Sequence, residues 1–407
     1  MTRRVLVRSW LGRGLAVTGL VLLGLALAGC ASGPVASGFA LRPATISPNA
    51  DGTDDVTQIS YRLNRSANVS IYLIDDKGGR HYFRQESRRA YSSEPYQVQF
   101  GGAIDGHLLP DGHYTAVLEA KDDYGRTTRL EQPLTIQGGD PVPLKIENLS
   151  ISPNLFTPNR DGISDRVTIG YYLNKEASQV NVYLVDGKGT RYPVPEDKIR
   201  KVGAKGPHEH DYDGGVDLGA QPPPDGVYTV VVQAEDYVGN KDQVSGPLSI
   251  VSGGVPQVEI VNAAAQWSAP IVKLGDTLSF TCTVRNVGTV PVRTKGPEPG
   301  TVYSMDDNFN SLQQPEEPGI FRVGLDYEGN SAGRQYPFRW QLGSDDELTV
   351  INGQKYLMPG QTVTVRGSVI INEKMVRVAP YFWIGLIHEN VWIVMDKVQY
   401  QQITVEF

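Results

Sequence analysis

Two short stretches of this chain place oxygen-bearing side chains at a spacing suited to gathering a cation. Asn49, Asp51 and Asp55 hold the first, third and seventh positions of one seven-residue run. Asn159, Asp161 and Asp165 repeat them in a second, and glycine stands fourth in both. Calcium collects carboxylate, amide and carbonyl oxygens from tight turns of this kind. The fifth position is Thr53 or Ile163, and no glutamate stands at the twelfth, so the oxygen set is short for calcium. A second reading uses the same residues as Asx turns, with the side chains accepting backbone N–H bonds at the start of a strand. Both readings stay open at this level.

Little else nominates chemistry. His208-Glu209-His210 offers two imidazoles two residues apart in a stretch bounded by Gly and Pro, which reads as a water-facing loop. The chain has no nucleophile elbow, phosphate loop, His-Glu-x-x-His or cysteine pair. Its carboxylates form no pair with a distinct acid and base, so a non-enzymatic protein is expected.

The elements that must carry these residues are strands. Forty-four glycines, twenty-seven prolines and twenty tyrosines favour short strands joined by turns, and no long amphipathic helical period follows the first thirty residues. The chain also repeats itself at about 110 residues. Asn49 answers to Asn159 and Tyr61 to Tyr171, and Tyr72-Leu73-Ile74-Asp75 matches Tyr183-Leu184-Val185-Asp186. Pro110-Asp111-Gly112-His113-Tyr114-Thr115 matches Pro224-Asp225-Gly226-Val227-Tyr228-Thr229. That period is too long for a solenoid unit, so each copy is expected to fold around its own core. Alternating strands closed by Asp-Gly turns point to an all-β fold of tandem immunoglobulin-like sandwiches.

Each copy resembles the immunoglobulin-like or fibronectin-like module of the flagellar hook-capping protein family. The resemblance rests on Tyr61 to Leu63, Ile71 to Gly78 and Pro110 to Thr115, and on Tyr212-Asp213-Gly214, where the family has Trp-Asp-Gly. The first copy has Phe100-Gly101-Gly102 there and lacks the Asp. The match spans about residues 39–252 and implies architecture more than function.

The N-terminus carries Arg3, Arg4, Arg8 and Arg13, then an apolar run from Leu15 to Ala28, then Leu27-Ala28-Gly29-Cys30. This is the layout of a secretory signal. Its end resembles the bacterial lipobox, which implies a diacylated Cys30 as the first mature residue, an extracytoplasmic location and a lipid anchor in the cell membrane or outer membrane. Loss of four arginines and no acid would take the formal charge from −7 to −11, which gives nucleic acid no electrostatic footprint. The remaining cysteine, Cys282, shares a strand face with Leu278, Phe280 and Val284 and reads as a buried thiol.

The expected organisation is a leader (1–29), a flexible tether (30–38), repeat 1 (39–138), a linker (139–144), repeat 2 (145–252), a hinge (253–256) and a C-terminal module (257–407). The opening of that module, Gly275 to Pro291, with Gly360 to Gly367, resembles immunoglobulin-like domains related to bacterial adhesion. Between these lies a long aromatic insertion, residues 295–345. Long insertions in compact domains usually carry function. Tyr303, Tyr327, Tyr336, Phe338, Arg339 and Trp340, together with Tyr381, Phe382, Trp383 and Trp392, are therefore expected to line a groove. Such a groove suits a protein or glycan ligand. The function expected is a membrane-anchored binding, scaffold or adhesion protein. The alternatives are a carbohydrate-binding surface protein and a glycan-active enzyme.

Overall fold

The computed structural model describes residues 33–195, 201–261 and 265–406. The leader and Cys30 lie outside the described residues. Among the described residues no helix is long and apolar enough to cross a membrane, and the regular structure is strand throughout except for one 3-10 turn at Val216–Leu218. The chain divides into two compact units. One holds the residues to Lys145 with 177–179 and 234–242, and the other holds the rest.

Repeat 1 is a sandwich of two sheets. The smaller orders Ala36–Arg42, Thr57–Leu63 and Tyr96–Phe100. The larger orders Thr45–Ile46, Thr127–Ile136, Gly112–Asp122, Ala67–Ile74 and Arg80–Arg89. Alternation in the sequence decides which side chains go inside. Thr57, Ile59, Tyr61 and Leu63 are buried, while Gln58 and Arg62 are exposed. The inner faces meet in one apolar core containing Phe39, Ile59, Ile71, Phe100 and Leu118. The expected tether is shorter than drawn, because Val35 and Ala36 are already buried and the first strand begins at Ala36.

Repeat 2 reproduces the same order of strands: Ile146–Ser152, Val167–Leu173 and Gly206–Tyr212 against Leu155–Phe156, Lys241–Ile250, Gly226–Glu235, Gln179–Val185 and Arg191–Pro193. The Pro-Asp-Gly-x-Tyr motif does the same work in both copies. The tyrosine hydroxyl donates to the carbonyl of its own proline, Tyr114 to Pro110 at 2.7 Å and Tyr228 to Pro224 at 2.5 Å. The aspartate accepts two N–H bonds from the residues that follow the last strand, Gly138 and Gly139 to Asp111, Ser252 and Gly253 to Asp225. The segment expected as a hinge is thereby pinned. Gly254 N–H also donates to the Pro158 carbonyl at 3.0 Å.

In the C-terminal module, one sheet orders Val258–Ile260, Thr277–Asn286, Thr362–Ile370 and Val302–Ser304. The other orders Thr349–Ile351, Gln354–Leu357, Val292–Thr294, Phe321–Tyr327, Tyr381–His388 and Trp392–Gln402, with Phe338–Gln341 also on Phe321–Tyr327. Cys282 is fully buried in the core between them, and burial pushes its thiol pKa up to about 12. It is an inert apolar side chain.

The stretch 295–345 is not an insertion on the surface. It supplies the strands Val302–Ser304, Phe321–Tyr327 and Phe338–Gln341. Its connecting segments close over the second face of the sheet, so Phe321 to Asp326 are buried on both sides. Arg322 shows how. Its Nε donates to the Lys295 carbonyl at 2.5 Å and its Nη atoms to the Gln314 and Pro315 carbonyls. Gly324 and Gly385 face each other across neighbouring strands. A Cβ on Gly324 would lie 2.6 Å from Ile387 and 2.7 Å from Tyr336, and one on Gly385 would overlap the Tyr336 ring. The paired glycines form a slot for that ring, whose hydroxyl donates to Asp396.

Candidate functional site

The two Asn-x-Asp-Gly-x-x-Asp stretches have one backbone in common. Ala50, Gly52 and Asp54 take positive φ angles of 62°, 88° and 51°, and Arg160, Gly162 and Ser164 take 59°, 82° and 53°. The side chains satisfy that turn from within. In repeat 1, Asp51 N–H donates to Asn49 Oδ1, Thr53 N–H to Asp51 Oδ1, Ala50 N–H to Asp55 Oδ1 and Gly52 N–H to Asp55 Oδ2, all at 2.8–3.0 Å. In repeat 2, Asp161 N–H donates to Asn159, Ile163 N–H to Asp161 and Gly162 N–H to Asp165. This is the Asx-turn arrangement. Among the described residues no group of three or more His, Cys, Asp or Glu side chains is placed to hold a metal ion.

Their surroundings differ. Asn49, Asp51 and Asp55 are exposed or half-buried, and a Cβ on Gly52 would touch nothing within 4 Å. Asn159 and Asp161 are buried. The Asp161-Gly162 peptide lies directly against Pro318-Gly319 of the C-terminal module, so close that a Cβ on either glycine would overlap the other backbone. Around this contact two hydrogen bonds cross the junction and a third braces it from within the C-terminal module. The Tyr356 hydroxyl donates to Asp161 Oδ2 at 2.9 Å, His388 Nε2–H to the Arg160 carbonyl at 2.9 Å and Arg293 Nη2 to the Pro318 carbonyl at 2.6 Å, the last bracing the segment that meets Gly162. The Arg160 guanidinium also lies over the Trp392 ring, 5.7 Å from its centroid.

Burial sets the protonation states here. Desolvation, reinforced by the charge of Asp161, raises the Asp165 pKa to about 6, against three backbone N–H bonds that lower it. Desolvation lowers the His388 pKa to about 4, so the imidazole is neutral at ordinary pH. It stacks on Phe321 with ring centroids 4.0 Å apart. Next to it, Glu389 holds two guanidiniums, Arg322 at 3.1 Å and Arg339 at 2.9 Å. Arg339 in turn lies 4.0 Å from the Phe309 ring centroid. His388-Glu389 is thus the corner where the covering segment and repeat 2 are both fastened.

The expected ligand groove is corrected. Tyr303, Tyr336, Phe338 and Trp340 are at most 1% exposed, Arg339 is 6% exposed, and Tyr327 is half-buried against Phe338 and Phe382. They fill the core and the covering layer because a sheet buried on both faces needs large side chains on both. Phe382 is core as well. The aromatics left outside belong to the last hairpin. Tyr381 stacks on Tyr400 at 4.5 Å, Trp383 leans on Tyr400 at 5.5 Å, and Lys397 sits over both Trp383 and Tyr400. Tyr400 is 49% exposed.

The histidines are also corrected. His208 and His210 are not in a water-facing loop but on the strand Gly206–Tyr212, buried on its inner face, because a spacing of two is the period of a strand. His208 stacks on Tyr171. Residues missed by sequence reasoning are Tyr356, His388, Glu389 and Arg322. One signal was present: Arg322 and Asp326 share a face of an otherwise apolar strand, the mark of a second buried face.

No protein-family model matches the chain, and no curated protein matches it. Among solved structures the chain is similar to a tetra-tandem repeat from the extending region of a large adhesion protein, with 14% identity and a TM-score of 0.20, over 91% of this chain and 92% of that one. It is also similar to a calcium-stabilised adhesin of an ice-binding Antarctic bacterium, with 12% identity and a TM-score of 0.23, over 92% and 74%. The alpha-2-macroglobulin of E. coli aligns at 13% identity and a TM-score of 0.18, over 92% of this chain and 23% of that one.

Proposed function

We propose that this chain is a cell-surface scaffold or adhesion protein, anchored through a lipid on Cys30, in which two like sandwiches carry a C-terminal recognition module. The observation that carries the reading is the junction. Buried hydrogen bonds and backbone-to-backbone packing fix the C-terminal module on repeat 2. A module held this way keeps its outward face in a set orientation, which suits engagement of a macromolecule and serves no evident catalytic step. The outward face is the Tyr381, Trp383 and Tyr400 ladder with Lys397. Exposed, stacked aromatics with a cation beside them favour a protein partner, and a glycan is the second reading.

The test is made on the processed, full-length protein. Cys30→Ala is expected to abolish fatty-acid labelling and release the protein from membranes; an unlabelled wild type would overturn the anchor. Tyr400→Ala with Trp383→Ala is expected to abolish partner capture in a pull-down from the cell surface while circular dichroism stays unchanged. Retention of binding only on a glycan array would favour the second reading. Glycan hydrolysis lost on mutating one carboxylate would overturn both.

A further inference from the structure

Repeat 1 carries a second feature, independent of the C-terminal module. The strand Arg80–Arg89 forms the free edge of its larger sheet. Pairing with Ala67–Ile74 jumps register twice near its middle, and Glu86 takes a positive φ of 45°. These bulges set Arg84 opposite the core residue Ile71, with its guanidinium over the Phe83 ring, which itself meets Phe100 edge to face. Arg84 Nε is buried and meets no acceptor. Arg89 lies over the Tyr96 ring, 6.0 Å from its centroid, and Tyr96 stacks on Tyr61 at 5.3 Å. Arg89 also hydrogen-bonds the Tyr61 hydroxyl, and the charge of Arg84 reaches it. Among the described residues neither guanidinium makes an ion pair, although Arg88 on the same strand grips Asp123 through both Nη atoms.

Repeat 2 shows the same position closed. Tyr171 stands where Tyr61 does, His208 pairs with it as Tyr96 pairs with Tyr61, and His210 lies beside it. Both imidazoles are buried and hydrogen-bonded to main-chain carbonyls, His208 to Ala204 at 2.6 Å and His210 to Pro195 at 3.0 Å. One copy seals the gap between its sheets with satisfied side chains. The other leaves two cationic forks there without an anion.

We propose that the gap between Arg80–Arg89 and Tyr96–Phe100 binds a carboxylate carried on a sugar ring. The forks of Arg84 and Arg89 supply paired donors, and the half-buried rings of Phe83 and Tyr96, each with one of these guanidiniums over it, lie beside them to meet the rim of a sugar ring. A uronate-bearing polysaccharide has both parts. Calorimetric titration of the mature protein with a polyuronate oligosaccharide is expected to show binding that weakens with added salt. Arg84→Gln and Arg89→Gln are each expected to lower affinity at least about tenfold, and Arg84→Lys to rescue only part of it. Arg80→Gln, on the outer face over Tyr72, is expected to change nothing. The proposal is overturned by absence of polyuronate binding, by an Arg84→Gln variant that binds as wild type, or by Arg80→Gln losing as much. Equal binding of free acetate, or of a poly-glutamate peptide in place of the sugar, would also overturn it. Unchanged circular dichroism of each variant separates a lost site from a lost fold.

Discussion

The same turn has been used in two ways. In repeat 1, Asn49 to Asp55 is a self-satisfied loop in water. In repeat 2, Asn159 to Asp165 has the same φ pattern and shares the bonds to the Asn, the central Asp and the last Asp, yet its Asn159 and Asp161 are buried where the C-terminal module meets it. The turn therefore does not depend on its partner; it is a prefabricated shape. What the second copy adds is outward: the Asp161 oxygen not used on Ile163 N–H receives Tyr356, and the Arg160 carbonyl, turned out by its positive φ, receives His388. A rigid turn leaves main-chain groups exposed in a fixed array, and a neighbouring module can be built to fit them.

Breaking the backbone contact is expected to separate the copies most. Gly162→Val should destabilise the second unit by about 3 kcal/mol or more, from positive φ plus overlap with Pro318. Gly52→Val should cost about 1–2 kcal/mol from φ alone. Urea titration read by tryptophan fluorescence tests this, since Trp267, Trp340, Trp383 and Trp392 all lie in the C-terminal module. Gly52→Val should leave that signal's midpoint unmoved.

Next in size is the buried hydrogen bond. Tyr356→Phe leaves a buried Asp161 oxygen unpaired and should cost about 1–3 kcal/mol. Asp51→Asn, at the matching exposed position, should stay within about 0.5 kcal/mol.

The pH response sharpens the contrast further. His388, held near 4 when folded against an ordinary 6.5, binds its proton later than the unfolded chain does, so its contribution is lost as pH falls from 6.5 toward 4. Asp165, held near 6 against 3.8, keeps a proton the unfolded chain has released, so its contribution is lost as pH rises from 3.8 toward 6. The slopes oppose. His388→Gln should leave a variant that weakens relative to wild type as pH rises through this window, and Asp165→Asn one that weakens as pH falls. Each change is on the order of 1–2 kcal/mol, read as urea midpoints across the window. Parallel slopes in the two variants would contradict this assignment. The smallest effect is expected from calcium: with the carboxylates engaged by main-chain N–H groups, millimolar calcium should shift the melting temperature by less than about 1 °C.

Much of this architecture was legible in the residues. The 110-residue offset announced two like sandwiches, the Asp-Gly turns fell where strands reverse, and Leu278, Phe280, Cys282 and Val284 lie inside as alternation requires. The aromatic groove was misread for a physical reason. Periodicity shows which face of a strand is apolar, but not whether another segment covers the opposite face. Tyr336 and Phe309 are far in sequence from Gly385 and Glu389, whose neighbourhood they complete, and no local pattern links them. The junction was hidden in the same way, since Gly162 and Gly319 each look like ordinary turn glycines until they are seen touching.

One detail of the strand order sets how these sandwiches would respond to a pull on the chain. Near the start of each copy, a two-residue strand runs parallel to the last one: Thr45–Ile46 beside Thr135–Ile136, and Leu155–Phe156 beside Ser249–Ile250. In repeat 1 the bonds are Thr135 N–H to Ala44 O and Gln137 N–H to Ile46 O; in repeat 2 they are Ser249 N–H to Asn154 O and Val251 N–H to Phe156 O. Tension along the chain draws such neighbours past one another lengthwise. Both bonds would then be strained at once instead of opening in turn like a zip.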